Sequence, residues 1–527
     1  MHIDVVDTFD GLKGLRENWD RLYEADPEAH FYSSWMWMSE WLEALPGPWL
    51  ILCAKREAGD QECVGFLGLR LRAHFHTAHG FKNEVYLASD AFSDYAGILC
   101  LPQDEAPTMA AFAAHIREEL HWARLTLDNL LMSERRRALF LRGFDTHRFV
   151  HHEISYADKN GPDNTVAPAI DLPDDWEAYL ATLSANNRQK IRRLLRRLEE
   201  TDDYRITVSG PDDIKADIET LLRLWTVKWA KHKGERLEGI VSRNRAMLRR
   251  CADAGLLYMP VFWHGDRPIA VLGTYVDVVK KHMLFAITGR DETYTENPAG
   301  YLLHAYSIRH AIAEGFKTYD FLRGDEPYKY LFGPTDRWLR GCYVETKNGR
   351  NLRDRLDERS MPSMLSRALK LEEESKLDDA EFAYRQIVEL APTEALGLYR
   401  FGRLLARKGN HAEAKVMLTR CVEVQPEADN PWFWLAQSLA ALGERDAALA
   451  ACRKVLAITP DSLRAKDLLM KLSLAAPAKV LPGLPKIPPR PQTPNSAVQP
   501  GQILQQLAVQ GRRWDPAGAT LTAVRKS

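Results

Sequence analysis

The densest group of reactive side chains in the sequence is Asp320, Arg323, Asp325, Tyr328 and Lys329, within the run TYDFLRGDEPYKYLF. These polar groups follow a stretch that reads as a buried strand, so either carboxylate can orient an acceptor or take its proton. Some twenty residues earlier, Asn297, Pro298 and Gly300 stand where a helix begins, after a strand and a polar loop. Free backbone N–H groups and the positive dipole end of such a helix hold phosphate or pyrophosphate. A strand leading into an anion-binding helix suits a phosphorylated cofactor, with Arg290, Asn297, Gly300, Tyr301 and Arg323 as the residues expected to touch it.

Other familiar chemistries have no counterpart. The sequence lacks GxxxxGK[ST], GxGxxG after a strand, HExxH and GxSxG, which removes support for ATP hydrolysis, dinucleotide redox, zincin and hydrolase readings. In the cluster His74, His76 and His79, alternate strand positions such as 74 and 76 face one side, but no distant Cys or carboxylate pattern accompanies them, so they read as an exposed strand end and no metal is expected.

The elements that must position these residues fall into two rounds. In the first, helical stripes at Leu12–Leu22 and Phe31–Leu45 precede strands at Trp49–Ala54, Cys63–Leu71, Val85–Ala88 and Gly97–Cys100, with a helix at Thr108–Glu119. In the second, helices at 176–200, 212–232 and 241–254 precede strands at Leu256–Trp263, Arg267–Val276 and His282–Thr288, then a helix at Pro298–Glu314 and a strand at Lys317–Leu322. The C-terminal third repeats instead. Pro392, Pro426 and Pro460 stand 34 residues apart, as do Ala380, Ala414 and Ala448, and Gly409 and Gly443 mark the turn inside a repeat. This register resembles three tetratricopeptide (TPR) repeats over about 361–462, capped by a helix at 462–472. The Pro-rich stretch after Leu474 reads as a linker or disordered tail.

TYDFLRGDEPYKYLF after a helix ending in AIAEGFK resembles the C-terminal signature of the GNAT acyltransferase superfamily, in the branch of CelD-like cellulose-biosynthesis proteins and FemAB aminoacyltransferases. SSWMWMSEWLEAL, SDYAGILCLP and LSANNRQKIRRLLRRLEE support it, and together the matches cover about residues 1–347. The resemblance implies tandem GNAT-like α/β domains with mixed sheets flanked by helices, here followed by an all-α TPR solenoid. Expected boundaries are 1–165, 166–350 (the acyl-donor site), 361–475 for the repeats and 476–527 for the tail. It further implies acyl transfer from a thioester or ester to an amine or hydroxyl. By the same resemblance Lys329 would stabilise the developing oxyanion or a phosphate, while Asp94 and Tyr95 would line the acceptor cleft.

The helix after Ser184 buries Ile191, Leu194, Leu195 and Leu198 and turns out six cations, among them Arg188 and Arg192, which are expected to contact substrate phosphate. FemAB enzymes that use aminoacyl-tRNA often insert a coiled coil here, whereas this chain resumes with TDDYRITVSG. That difference, with a net charge of −1 from 71 Lys and Arg against 72 Asp and Glu, favours acetyl-CoA or another acyl-CoA over nucleic acid. The GNAT pyrophosphate loop [RQ]xxGx[GA] is missing. Seven scattered cysteines without a CxxC pair, an acidic N-terminus with no apolar h-region and no run of apolar residues that could span a bilayer point to a cytoplasmic protein. The expected function is acetyl transfer to a small-molecule, saccharide or envelope acceptor, with a protein partner on the concave TPR face. The alternatives are a tRNA-dependent peptidoglycan-precursor ligase and a TPR scaffold on a degenerate GNAT platform.

Overall fold

A computed structural model describes residues 1–44, 47–89, 93–156, 161–296 and 298–474. The expected tail at 476–527 lies outside the described residues. The chain begins with β1 (His2–Val6), α1 (Phe9–Lys13), α2 (Arg16–Ala25) and α3 (Trp35–Ala44), followed by β2 (Trp49–Lys55), β3 (Gly65–His76), β4 (Gly80–Leu87) and β5 (Leu99–Cys100). Next come α4 (Glu105–Glu119), β6 (Arg124–Leu130), α5 (Glu134–Leu141) and β7 (Phe149–Glu153).

A second sheet opens with β8 (Val166–Asp171) and continues through α6 (Trp176–Thr182), α7 (Ala185–Glu200), β9 (Tyr204–Val208), α8 (Ile214–Lys233) and α9 (Leu237–Asp253). It is completed by β10 (Leu257–Tyr258), β11 (Pro260–His264), β12 (Arg267–Asp277), β13 (His282–Arg290), α10 (Ala299–Ala313), β14 (Thr318–Asp320) and β15 (Thr335–Trp338). The expected helix at 176–200 is two helices. Leu183 and Ser184 are extended between them, and the Ser184 hydroxyl caps α7 by accepting from Asn187 N–H.

Strand β16 (Arg340–Thr346) corrects the expected boundary at 350. It returns to the first sheet, pairing antiparallel with both β6 and β7. The first sheet therefore runs β1-β2-β3-β4-β6-β16-β7 and the second β15-β8-β14-β13-β12-β11-β9. The physical reason lies in the alternation of Cys342, Val344 and Thr346, which are buried against β6, in a segment whose charged residues read as a loop. The chain thus crosses between the two sheets twice. Each sheet is antiparallel except for one parallel pair, β4 with β6 and β13 with β14, each bridged by a helix. On the second sheet α6, α7 and α10 cover one face, while Leu221, Leu222 and Leu248 of α8 and α9 join the core of the first domain.

Seven helices follow: α11 (Met361–Glu373), α12 (Leu377–Leu390), α13 (Ala395–Arg407), α14 (His411–Val424), α15 (Asp429–Ala441), α16 (Arg445–Ile458) and α17 (Leu463–Leu474). They form three antiparallel pairs and a cap, on the 34-residue register. Ala380, Ala414 and Ala448 are fully buried where the paired helices touch. At Gly402 a Cβ would stand 2.6 Å from Leu418 Cγ, so only glycine permits that approach. The array is fastened to the β3–β4 hairpin. Gln386 accepts from Phe81 N–H at 2.8 Å, Asn83 donates to Ser360 Oγ at 2.7 Å, and Phe81 belongs to the core of the repeats.

Candidate functional site

Strands β13 and β14 pair only from His282–Thr318 to Leu284–Asp320; β13 then runs on to Arg290 while β14 stops. The other edge of β14 is held by β8. Residues 285–290 therefore present a free edge on the side where a neighbouring strand would lie, and the backbone groups of that edge are open to a ligand. The chain leaves β13 through a polar loop into α10, which returns antiparallel to β13, so the first turn of α10 stands at this opening. That turn has no side-chain cap and no acidic residue, and a Cβ on Gly300 would meet nothing within 4 Å. Asn297 lies outside the described residues.

The 320–329 segment is more tightly bound than the sequence suggests. Asp320, 2% exposed, accepts from Tyr95 O–H at 2.8 Å and from Leu322 N–H at 2.8 Å, and its other oxygen pairs with Arg337. Leu322 has φ +56 and Gly324 φ +100, a turn the chain adopts only under restraint. Lys329, 2% exposed, supplies that restraint. Its ammonium donates to the carbonyls of Arg323 at 2.7 Å and Gly324 at 2.9 Å and pairs with Glu326 at 2.8 Å. The three protons of the ammonium are thereby taken, which speaks against the expected oxyanion role: the lysine folds its own loop. Asp325 is likewise engaged, accepting from Asp163 N–H at 2.7 Å.

Asp94 and Tyr95 do come to this loop, from the other domain. Tyr95 is fully buried and links the domains through Asp320. Asp94 stays half-buried and accepts from Tyr32 O–H at 2.8 Å. Burial raises its carboxyl pKa, against the hydrogen bond from Tyr32 and the nearby cations Arg323 and Lys329. Arg323 itself donates to Asn164 O at 3.3 Å and lies 5.1 Å over the Tyr156 ring.

A second group gathers at the start of α10. Tyr301 carries Lys190 of α7 at 4.5 Å over its ring, and Arg290 forms a two-point pair with Glu292 at 2.9 and 3.1 Å. Tyr328 lies between the two groups, its ring 6.5 Å from Tyr301 and 5.8 Å from His304. Burial raises the pKa of the Tyr328 phenol and lowers that of His304 to about 3, so both stay neutral. Arg188 and Arg192 do not join: Arg188 bonds the Leu183 carbonyl at 3.4 Å and Arg192 pairs with Glu177. Sequence reasoning missed Arg337, Tyr32 and His304 and counted Lys190 only as one of the six cations of α7. A cavity of about 1090 Å³ lies elsewhere, between the repeats and the first sheet, and its lining includes Lys82, Arg355, Phe382 and Glu389.

The family described as "Acetyltransferase (GNAT) domain" matches residues 185–330, from the first turn of α7 through Tyr330, and "Tetratricopeptide repeat" matches 405–472. No curated protein matches the chain. Among solved structures, the chain is similar to a conserved protein of unknown function from Bacteroides thetaiotaomicron VPI-5482, at 14% identity and TM-score 0.41, covering 66% of this chain and 100% of that one. It is similar to FemX at 10% identity and TM-score 0.46, covering 66% and 98%. The first TPR of Spaghetti (RPAP3) bound to an HSP90 peptide matches at 18% identity and TM-score 0.22, covering 22% and 93%. The chain thus carries a GNAT-like acetyltransferase domain over residues 185–330, within the second of two mixed sheets, and a tetratricopeptide repeat module at 405–472.

Proposed function

We propose that this chain is a GNAT-type acyltransferase that moves an acyl group, most simply acetyl, from acyl-CoA to an amine or hydroxyl of a small-molecule or saccharide acceptor. The observation that carries this reading is the parting of β13 and β14 beside the uncapped, acid-free first turn of α10. Backbone N–H groups of that turn hold the donor pyrophosphate, and Lys190 and Tyr301 flank it. The free edge of β13 positions the thioester.

Asp94 is the base in this scheme. Its half-buried carboxylate takes the proton of the acceptor N–H or O–H as nitrogen or oxygen attacks the thioester carbon; the C–S bond then breaks and the thiolate leaves. Tyr328, kept protonated by burial, donates a proton to that thiolate. Asp320 and Lys329 act as positioning residues, because their polar atoms are already engaged. The repeats and the cavity beside them bring a protein partner, and seven free, buried cysteines fit a cytoplasmic setting. A tRNA donor is disfavoured, since Arg188, Arg192 and Arg197 of α7 are engaged by the chain itself.

Incubating a cell extract with labelled acetyl-CoA and the full chain tests the reading. The expected result is transfer of label to an extract component, with CoA thiol released in equal amount and both lost in Asp94→Asn. Label that never leaves acetyl-CoA, across extracts and acyl chain lengths, would contradict it.

A further inference from the structure

Residues 223–250, covering the last turns of α8, the turn after it and most of α9, hold nine Lys and Arg against two Glu, in a chain whose total charge is −1. Part of this charge is spent inside the protein: Arg245 and Arg249 share Glu219, and Arg250 pairs with Glu40. Among the described residues, Arg223, Lys228, Lys233 and Arg236 make no ion pair. The same end of α8 carries apolar surface. Val227 is 68% exposed, and the half-buried Trp225 and Trp229 lie one turn apart with ring centroids 6.2 Å from each other. Lys228 and Lys233 stand 5.1 and 5.2 Å from the Trp229 ring centroid.

We propose that this end of α8 is a seat for an anionic lipid surface. Indole rings with an apolar body and a polar edge, beside lysines whose ammonium groups stand near the Trp229 ring, match the boundary between headgroups and acyl chains. Unpaired cations supply the attraction to negatively charged headgroups, which acts within about a Debye length of the surface. Nucleic acid fits less well. Binding to single strands needs open aromatic faces on which bases stack, and here lysines already stand over Trp229 while Val227 projects into solvent. No helix among the described residues is long and apolar enough to cross a membrane, so the contact is a peripheral one.

The seat has a defined place relative to the donor opening. A Cβ on Gly289 would come within 2.4 Å of the Leu221 carbonyl, so α8 crosses β13 where its free edge runs. Lys228 is one of the cations that lower the pKa of Glu292, in the loop leading to α10. A membrane seated on α8 therefore lies beside the mouth between β13 and β14. For acyl transfer this places a lipid-carried acceptor, a clause that rests on the proposed function, whereas the lipid seat itself does not.

Co-sedimentation of the full chain with phosphatidylcholine vesicles, with and without phosphatidylglycerol, tests the proposal. The expected result is pelleting with the mixed vesicles only, weakening as salt rises. Lys228→Glu/Lys233→Glu should lower vesicle affinity by more than about tenfold, and Val227→Glu by a smaller factor, with unchanged melting temperature because Val227 and Lys228 are exposed and the half-buried Lys233 makes no ion pair among the described residues. Acyl-CoA binding by the same variants should be unaltered, which separates failure of the lipid seat from failure of the acyl-transfer reading. Equal binding to both vesicle types, vesicle affinity unmoved in both variants, or capture of a single-stranded oligoribonucleotide without vesicle binding would overturn it.

Discussion

The two mixed-sheet halves contain the same unit, a parallel strand pair bridged by a helix, and they differ in what fills it. In the first half β4 ends at Leu87, and the chain then turns back into the opening: Ala96 bridges Leu130 in parallel, bonding Asn129 O and Leu131 N–H. Tyr95 fills the space with no exposure. The helix start is filled as well, since α4 begins with Asp104 and with Glu105, whose carboxylate pairs with buried Arg136 at 3.1 Å. In the second half nothing of the kind occurs: β13 keeps a free edge and α10 has neither cap nor acid in its first turn. One opening is occupied by the chain's own residues, and the other is the one that takes the donor in the proposed function, so the shared unit alone does not identify a site.

The largest expected effect comes from emptying the filled half. Arg136→Ala leaves Asp26, at 0% exposure, without its cation, while Glu105 keeps only Arg135, and should cost about 3–5 kcal/mol in denaturant unfolding. The converse is to fill the empty half. Gly300→Asp adds a carboxylate in open space at a helix start, which favours the helix but repels pyrophosphate; acyl-CoA affinity should fall more than about tenfold while melting temperature holds or rises. Between the halves, Asp94→Asn should lower turnover by about a hundredfold or more. A base must be ionised, and burial raises the Asp94 pKa, so the wild-type rate should fall with decreasing pH along a limb above the ordinary carboxylate range.

Two smaller effects sharpen the comparison. His30 lies at the junction, 6% exposed, and burial lowers its pKa from 6.5 to about 4. The fold holds it neutral while the unfolded chain takes up a proton first, so stability should decline as pH drops from about 6.5 towards about 4, and His30→Gln should flatten that decline in pH-dependent melting. Within the repeats, Gly409 at φ +82 has open space around a would-be Cβ, so Gly409→Ala should cost about 1 kcal/mol by backbone strain alone.

The repeats were legible because their pattern is local. Small residues at Ala380, Ala414 and Ala448 and prolines at a fixed interval read directly as stacked helix pairs. Apart from β9, which the sequence analysis did not include, the α7–β14 run was legible for a similar reason, with periodicities that change where elements change. Strand β16 was not, because it is short and amphipathic and its partners β6 and β7 lie about 190 residues or more earlier in the chain. At the site, sequence proximity grouped Asp320, Arg323, Asp325, Tyr328 and Lys329, yet it could not say which atoms were free. Lys329 looked available because a lysine in a polar loop usually is, and only the φ +56 turn at Leu322 shows what its ammonium holds. Arg337 was invisible for the opposite reason: its partner Asp320 is reached through sheet geometry, β15 and β14 both pairing with β8.

The central claim, one vacant donor site in the second half and none in the first, is tested most directly by titrating the full chain with acetyl-CoA in a calorimeter beside its Gly300→Asp variant. One bound acetyl-CoA per chain, lost in the variant with the fold retained, is the predicted result. Two equivalents per chain, none at all, or undiminished binding by the variant would contradict it.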